Sequence, residues 1–285
     1  MIVITGAAGF IGSHLCQKLN FHGIKNIILA DDFTQEKKQK NWESLEYEDK
    51  IQREHFFDWA AQNVQHIDFI FHLGARTDYF STDLDIFETL NLDYSQRVWS
   101  FASYKRIPLI YASSYLTHAP TPLSLYAKSK HNFDKWIEKQ QQTPPFWAGL
   151  KFSQVYGKNE AHKAKNSSII YYIGKNYREN VTNISIEKNS IQDYIYVNDV
   201  AKVLYYFLNH APQSGIYEVG TGFARPLKAI ADAINKAAKP EQKLILEYPK
   251  ETPYFYQADI TNLRKYAYKQ AFLSLEQGVK RLFWD

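Results

Sequence analysis

Short apolar runs alternate along the first half of the chain with longer segments of helical period. The runs at 2–5, 26–30, 68–73, 108–113 and 146–152 are compact and rich in Ile, Leu and aromatic residues, which predicts strands covered on both faces. Between them, 11–21, 85–104 and 126–140 repeat apolar positions at three- and four-residue intervals, which predicts helices. Strand and helix in such alternation imply an α/β fold with a doubly wound parallel sheet. Beyond Gly157 the rhythm loosens into expected helices at 167–178, 198–210, 226–238 and 274–284 and shorter strands at 183–187, 192–197 and 216–220. No internal repeat or low-complexity tract appears, and the 12 glycines and 10 prolines are too scattered to mark a flexible tether. The expected organisation is therefore interleaved, with one domain at 1–157 to which 191–222 returns, and a smaller lobe formed mainly by 158–285.

Composition narrows the class. The 285 residues, 45% hydrophobic and 22% charged, are ample for a folded core and unlike a disordered chain. With 34 Lys+Arg against 30 Asp+Glu the net charge is only +4 and dispersed, so neither nucleic acid nor an anionic membrane is an expected partner. Mean hydropathy is −0.44, no apolar run reaches membrane-spanning length, and the apolar first four residues lack the basic flank of a signal peptide. A cytoplasmic location is the expectation. Cys16 is the single cysteine and the nine histidines show no His-Glu-x-x-His spacing, so neither a thiolate cage nor a metal enzyme is expected.

The first candidate chemistry follows the first strand. Gly6-Ala7-Ala8-Gly9-Phe10-Ile11-Gly12 opens the first helix, where glycines permit a tight turn and let backbone N–H groups approach a pyrophosphate. A tight strand–helix packing turn is the competing explanation. Asp31 tips the balance, because it ends the second strand at about the distance expected of the carboxylate that binds an adenine ribose. A Rossmann-type dinucleotide-binding domain at 1–157 is thus expected. Asp31 by itself favours NAD, whereas Lys37, Lys38, Lys40 and Lys50 offer cations for the extra phosphate of NADP or form a solvated loop.

The second is a proton-transfer set. Ser114 follows the strand at 108–113, and Tyr126 and Lys130 lie four apart on the following helix and share one face. A free tyrosine is a poor base at neutral pH, and a cation one turn away is expected to bring its phenol toward working range. Ser114 would hydrogen-bond the same substrate oxygen, and Lys130 would also reach a nicotinamide ribose. In a chain with 21 tyrosines, a bare Tyr-x-x-x-Lys is otherwise a chance occurrence.

Together, the glycine loop, the Ser113-Ser114 strand end and the Tyr126 and Lys130 pair resemble the extended short-chain dehydrogenase/reductase superfamily, which modifies nucleotide-linked sugars. Within it the chain is most similar, from end to end, to the ADP-L-glycero-D-manno-heptose 6-epimerases. The similarity is carried by Tyr111-Ala112-Ser113-Ser114, Val155-Tyr156-Gly157, Glu160-Ala161-His162-Lys163, Tyr196-Val197-Asn198-Asp199-Val200 and Gln257-Ala258-Asp259-Ile260-Thr261-Asn262-Leu263-Arg264. The resemblance implies inversion of a secondary carbinol in the heptose side chain through hydride removal, a transient ketone and hydride return to the opposite face. It implies Tyr126 and Lys163 as the acid and base, with Ser114 and Lys130 beside them, and a homo-oligomer.

For the cofactor it implies contacts from Phe10, Ile11, Asp31, Asp32, Lys38, Leu73, Gly74, Ala75, Asn91, Lys130 and Val155. Lys38, with Lys50 as a second cation, points to NADP rather than NAD. The substrate positions implied are Ser114, Gln154, His162, Lys165, Tyr172 and Gln192, and here the chain departs from the family. Gln154 stands for an asparagine, Gln192 for a phosphate-pairing arginine, Lys165 for a serine and Tyr172 for a histidine, while Lys158 or Lys165 offers a replacement charge. Chemistry thus reads as kept and recognition as altered. The alternatives are a nucleotide-sugar 4-epimerase or dehydratase, against which Lys163 and the absence of carboxylates in Tyr115-Leu116-Thr117 argue, or a non-catalytic dinucleotide-binding sensor.

Overall fold

A computed structural model describes residues 1–119, 123–236 and 243–284. The strands in chain order are β1 (Ile2–Thr5), β2 (Ile27–Asp31), β3 (Asp49–Gln52), β4 (Phe69–His72), β5 (Leu109–Ser114), β6 (Trp147–Phe152), β7 (Gln154–Tyr156), β8 (Asn183–Ser185), β9 (Ser190–Tyr196), β10 (Gly215–Val219), β11 (Ala224–Pro226), β12 (Ile245–Glu247) and β13 (Tyr254–Tyr256). The central sheet runs β10-β6-β5-β4-β1-β2-β3, and its six strands from β3 to β6 are mutually parallel. Every residue of β1, β2 and β4 is buried, as near-continuous apolar strands between helical layers require. Val3, Ile28, Ile70, Trp99, Leu109, Tyr111 and Phe133 belong to the core under one face. This is the α/β, Rossmann-type fold expected. The chain turns back between β3 and β4, so β1 and β4 are neighbours at a topological switch point, where such sheets bind ligands.

The chain divides into two compact units, Met1–Phe152 with Ala201–Tyr217, and Ser153–Val200 with Glu218–Asp285. The boundaries differ from 1–157 and 191–222 for a physical reason. β7 pairs with β9, and β9 also pairs with β11 and β13, so 154–156 and 190–196 are built into a second sheet. Within the second unit Tyr156, Ile170, Ile173, Tyr194, Ile230, Val279 and Leu282 form a separate core. Gly174 there admits the ring of Phe283, and Gly278 admits the phenol of Tyr156, at distances that a Cβ would forbid.

Several elements escape the pattern. β3 carries Asp49 and Lys50 at a sheet edge, and β7, β11, β12 and β13 have three residues each, too few for periodicity. Helix Phe56–Gln62 is likewise unpredicted. The expected helix at 85–104 is Leu84–Phe87, a π-helical turn at Glu88–Asp93, and Tyr94–Lys105. The helix expected at 226–238 spans Leu227–Asn235, and 237–238 lie outside the described residues. Among the described residues no helix is long and apolar enough to cross a membrane.

Candidate functional site

In the first unit, Gly6 adopts φ +74 and its Cα face lies against Gly74, so a Cβ on it would overlap the Gly74 backbone. The loops after β1 and β4 thereby close on each other, which brings Gly6, Leu73 and Gly74 together, with Leu73 N donating to Thr5 O at 3.0 Å. A Cβ on Gly12 would overlap Gly6 O, and one on Gly9 would stand 3.0 Å from the same oxygen. Helix Phe10–Phe21 begins here, with Gly9 as an N-cap that offers no side-chain cap and no acidic residue in the first turn. That is a cradle of backbone donors at the positive end of a helix dipole, a shape and polarity that fit a pyrophosphate. Phe10 is buried and Ile11 half-buried on that first turn.

Asp31, buried at the end of β2, accepts from Ala8 N (2.9 Å) and Asp32 N (2.7 Å), and Lys38 Nζ pairs with its Oδ1 at 2.9 Å. Lys38 is therefore a counter-ion rather than a solvated loop residue. Asn41 completes the frame by donating to Ala8 O at 3.0 Å, a role that nothing in the sequence signals. Asp32 is held near pKa 2 by hydrogen bonds from Thr34 and Gln35, with burial opposing. Lys50 lies opposite Leu29, and its ammonium sits 4.2 Å over the Trp42 ring and 5.5 Å over Phe33; the residue level with Asp31 is Gln52. A cation–π clasp fixes Lys50 beside the second strand.

Ser124 caps helix Leu125–Ile137 by accepting from Ala127 N at 3.2 Å, which sets Tyr126 in the first turn. Tyr126, Lys130 and Asp134 then recur at four-residue intervals on the buried face. Ser114 hydrogen-bonds the Tyr126 phenol, and Tyr79 packs edge-on to the ring at 5.2 Å. The structure thus brings Ser114, Tyr126 and Lys130 together. It differs from expectation in one respect: burial pushes the Tyr126 phenol up to about 12, with the Ser114 bond opposing. The Lys130 ammonium donates instead to Ala112 O at 2.8 Å, and burial lowers it to about 8 despite the charge of Asp134. Asp134 anchors this helix to the sheet through Ser113 Oγ (2.8 Å), Tyr111 OH (3.1 Å) and Lys151 Nζ (3.3 Å). Its position one turn after Lys130 is the signal that could have found it.

A buried polar chain runs beneath. Thr5 Oγ1 lies 2.7 Å from His72 Nδ1, His72 Nε2 lies 2.8 Å from Ser95 Oγ, and Ser95 donates to Asn91 O. Because Ser95 spends its proton on that carbonyl, the network assigns the His72 proton to Nε2 and makes Thr5 the donor to Nδ1. Burial, with the nearby Lys130 charge, holds His72 at about 3. The Asn91 amide, on the π-helical turn, donates to Arg76 O and Ser129 Oγ, each at 3.0 Å, and accepts from Arg76 N at 2.7 Å. It ties the loop that continues from Ala75 to the Tyr126 helix.

The second unit carries the remaining positions. Gln154 and Val155 are half-buried on β7 opposite Tyr194 and Ile195. Gln192, on β9, stands level with Arg225 of β11, whose guanidinium donates to Glu276 at 2.6 Å. Lys163 and His162 are half-buried, whereas Lys165 and Tyr172 are exposed. Lys163 Nζ pairs at 3.1 Å with Glu160, a fully buried carboxylate within the quoted Glu-Ala-His-Lys run to which the pattern assigns no role.

A Rossmann-type sheet with a glycine cradle after β1 and a buried Ser, Tyr and Lys set after β5 defines an enzyme that works with a nicotinamide dinucleotide. The profile of the NAD dependent epimerase/dehydratase family matches residues 2–220, and the chain belongs to that family. It is 34% identical to the ADP-L-glycero-D-manno-heptose-6-epimerase of Fusobacterium nucleatum, over 98% of this chain and 96% of that one. It is 30% identical to the protein of the same name in Brachyspira hyodysenteriae, over 99% and 96%. The crystal structure of the Helicobacter pylori ADP-L-glycero-D-manno-heptose-6-epimerase shares the fold with a TM-score of 0.84 at 21% identity, over 99% of this chain and 94% of that one.

Proposed function

We propose that the protein is a nucleotide-sugar epimerase that inverts C6 of an ADP-linked glycero-manno-heptose, with NADP as its dinucleotide. The buried Ser114, Tyr126 and Lys130 set carries the reading, and the names of two relatives that match nearly end to end supply the sugar. Gly6, Gly9 and Gly12 would hold the pyrophosphate, with Asp31, Asp32 and Lys38 at the adenosine ribose and Lys130 at the nicotinamide ribose. Bound there, the dinucleotide supplies hydride acceptance and return at a secondary carbinol. Lys38 supports NADP because it neutralises Asp31, and a buried carboxylate without a counter-ion would repel a 2′-phosphate. Lys50 is offered as a second cation on the same edge.

Oxidation of the carbinol releases its hydroxyl proton to one member of the pair, and reduction of the ketone takes a proton from the other: Lys163 accepts the first, and Tyr126, kept a neutral phenol by burial, gives the second to the ketone oxygen, with Ser114 orienting both. Inversion presents that oxygen from a second direction, so two proton-transfer groups serve it. Gln154, His162, Lys165, Tyr172 and Gln192 remain the proposed substrate contacts, with Arg225 level with Gln192 as an additional cation for a phosphate. The first unit is assigned to the dinucleotide, the second to the sugar, and the assembly to a homo-oligomer. The test follows C6 configuration by NMR with ADP-heptose and NADP. Inversion that disappears in both Tyr126→Phe and Lys163→Ala, with dinucleotide affinity unchanged, is expected. No inversion of ADP-heptose alongside turnover of a UDP-hexose would make the protein a 4-epimerase instead.

A further inference from the structure

We propose that Glu160 is the positioning residue for Lys163, a buried counter-charge that holds the ammonium at a fixed point and locks the loop carrying it. This rests on the reading of Lys163 as a proton-transfer group. Glu160 is 0% exposed, and its carboxylate is satisfied by four donors. Oε1 accepts from Gly157 N at 3.0 Å and Ser168 Oγ at 2.7 Å, while Oε2 accepts from Ser168 N at 2.7 Å and Lys163 Nζ at 3.1 Å. One side chain therefore joins the start of the 157–168 loop, its end, and the lysine between them.

An i, i+3 pair at a surface would contribute little, because two flexible, hydrated side chains gain little by meeting. Here the carboxylate is immobile and dry, and Lys163 is only 17% exposed, so the ammonium meets a fixed partner. A buried carboxylate needs a compensating charge, and the ion pair couples that need to the direction of Lys163. The backbone adds an independent sign. Ala164, next along the chain, has φ 48 and ψ −120, a conformation that costs an L-residue on the order of 1–3 kcal/mol and persists only where surrounding contacts enforce it. The strained residue adjoins the lysine, and Ser167 N donates to its carbonyl at 3.1 Å.

The experiment compares Glu160→Gln, which keeps the size and removes the charge, with Ser168→Ala, which removes one donor to the same carboxylate and leaves the ion pair. Glu160→Gln is expected to lower kcat by on the order of 10–100-fold with KM nearly unchanged. Ser168→Ala should stay near wild type in kcat and lose only thermal stability. A second arm uses Lys163→Ala with added ethylamine, whose ammonium can occupy the vacated place. Half-maximal rescue should need at least roughly tenfold more amine in Lys163→Ala/Glu160→Gln than in Lys163→Ala. Unchanged kcat in Glu160→Gln overturns the proposal, as does an equal kcat loss in Ser168→Ala or rescue indifferent to residue 160. If Glu160→Gln does not fold, Glu160→Asp takes its place in both arms; its shorter arm should lower kcat with KM nearly unchanged and raise the ethylamine needed for half-maximal rescue of Lys163→Ala. Full turnover in Lys163→Ala would instead strike the underlying assignment, a result separable from a loss confined to the lysine variant.

Discussion

Counter-charge decides what a buried carboxylate does to an approaching phosphate. Asp31 alone would select for a free ribose hydroxyl, but the Lys38 pair at 2.9 Å cancels its field. Lys38→Ala is therefore expected to weaken NADP roughly 10-fold or more while changing NAD affinity little, since the ion pair and a 2′-phosphate draw on the same ammonium. Equal weakening of both in calorimetry would return Lys38 to a purely structural role. Tyr126 and Lys130 teach a related lesson. Spacing places them on one face, but whether the cation depresses the phenol depends on where the ammonium points and how much water remains. The ammonium goes to Ala112 O, water is excluded, and the phenol rises to about 12.

Elements meet at two crossings that hold the site. At the first, Gly6 and Gly74 bring the loops after β1 and β4 into backbone contact, which no side chain could share. Gly6→Ala imposes a left-handed φ on an L-residue as well as a clash, so dinucleotide affinity is expected to fall roughly 10- to 100-fold, the equivalent of the ~1–3 kcal/mol of backbone strain. Unchanged affinity by calorimetry would mean that the pyrophosphate lies elsewhere. At the second crossing, Asp134 accepts from Ser113, Tyr111 and Lys151 on two adjacent strands, and Asn91 donates to Ser129 on the other flank. The Tyr126 helix is thus fixed by polar contacts along its buried face.

Stability should carry the signature of two buried bases. The folded-state pKa of His72, about 3 against an ordinary 6.5, means that the unfolded chain takes up a proton as pH falls below about 6.5 and the native chain does not. Stability is therefore lost progressively from there toward pH 3, by up to ~1.4 kcal/mol per pH unit from this group. Lys130 titrates near 8 when folded against 10.5 ordinarily, so its burial as a cation costs stability at neutral pH, and that cost is relieved as pH rises from about 8 toward 10.5. Urea midpoints across this range check both. Lys130→Met should raise the midpoint at pH 7 and abolish the alkaline gain, and a wild-type midpoint that is flat from pH 6.5 to 4 would contradict the neutral assignment of His72.

The amino-acid order alone determined the strands of the parallel sheet from β1 to β6 except β3, the glycine turn, Asp31, and the Tyr126 and Lys130 face. Each of these is a local rule of period, turn geometry or one-turn spacing. β3 stayed hidden because an edge strand with Asp49 and Lys50 shows no apolar period, and β7 because three residues carry none. Partnerships between distant segments were decided only in three dimensions: Lys38 with Asp31, Lys50 over Trp42, His72 with Ser95, and Arg225 level with Gln192. Protonation was decided there too, because desolvation depends on what the rest of the chain packs around a group. Glu160 and Lys163 are three residues apart in the sequence, but only the fold buries the carboxylate and makes an ordinary helical pair into a fixed one.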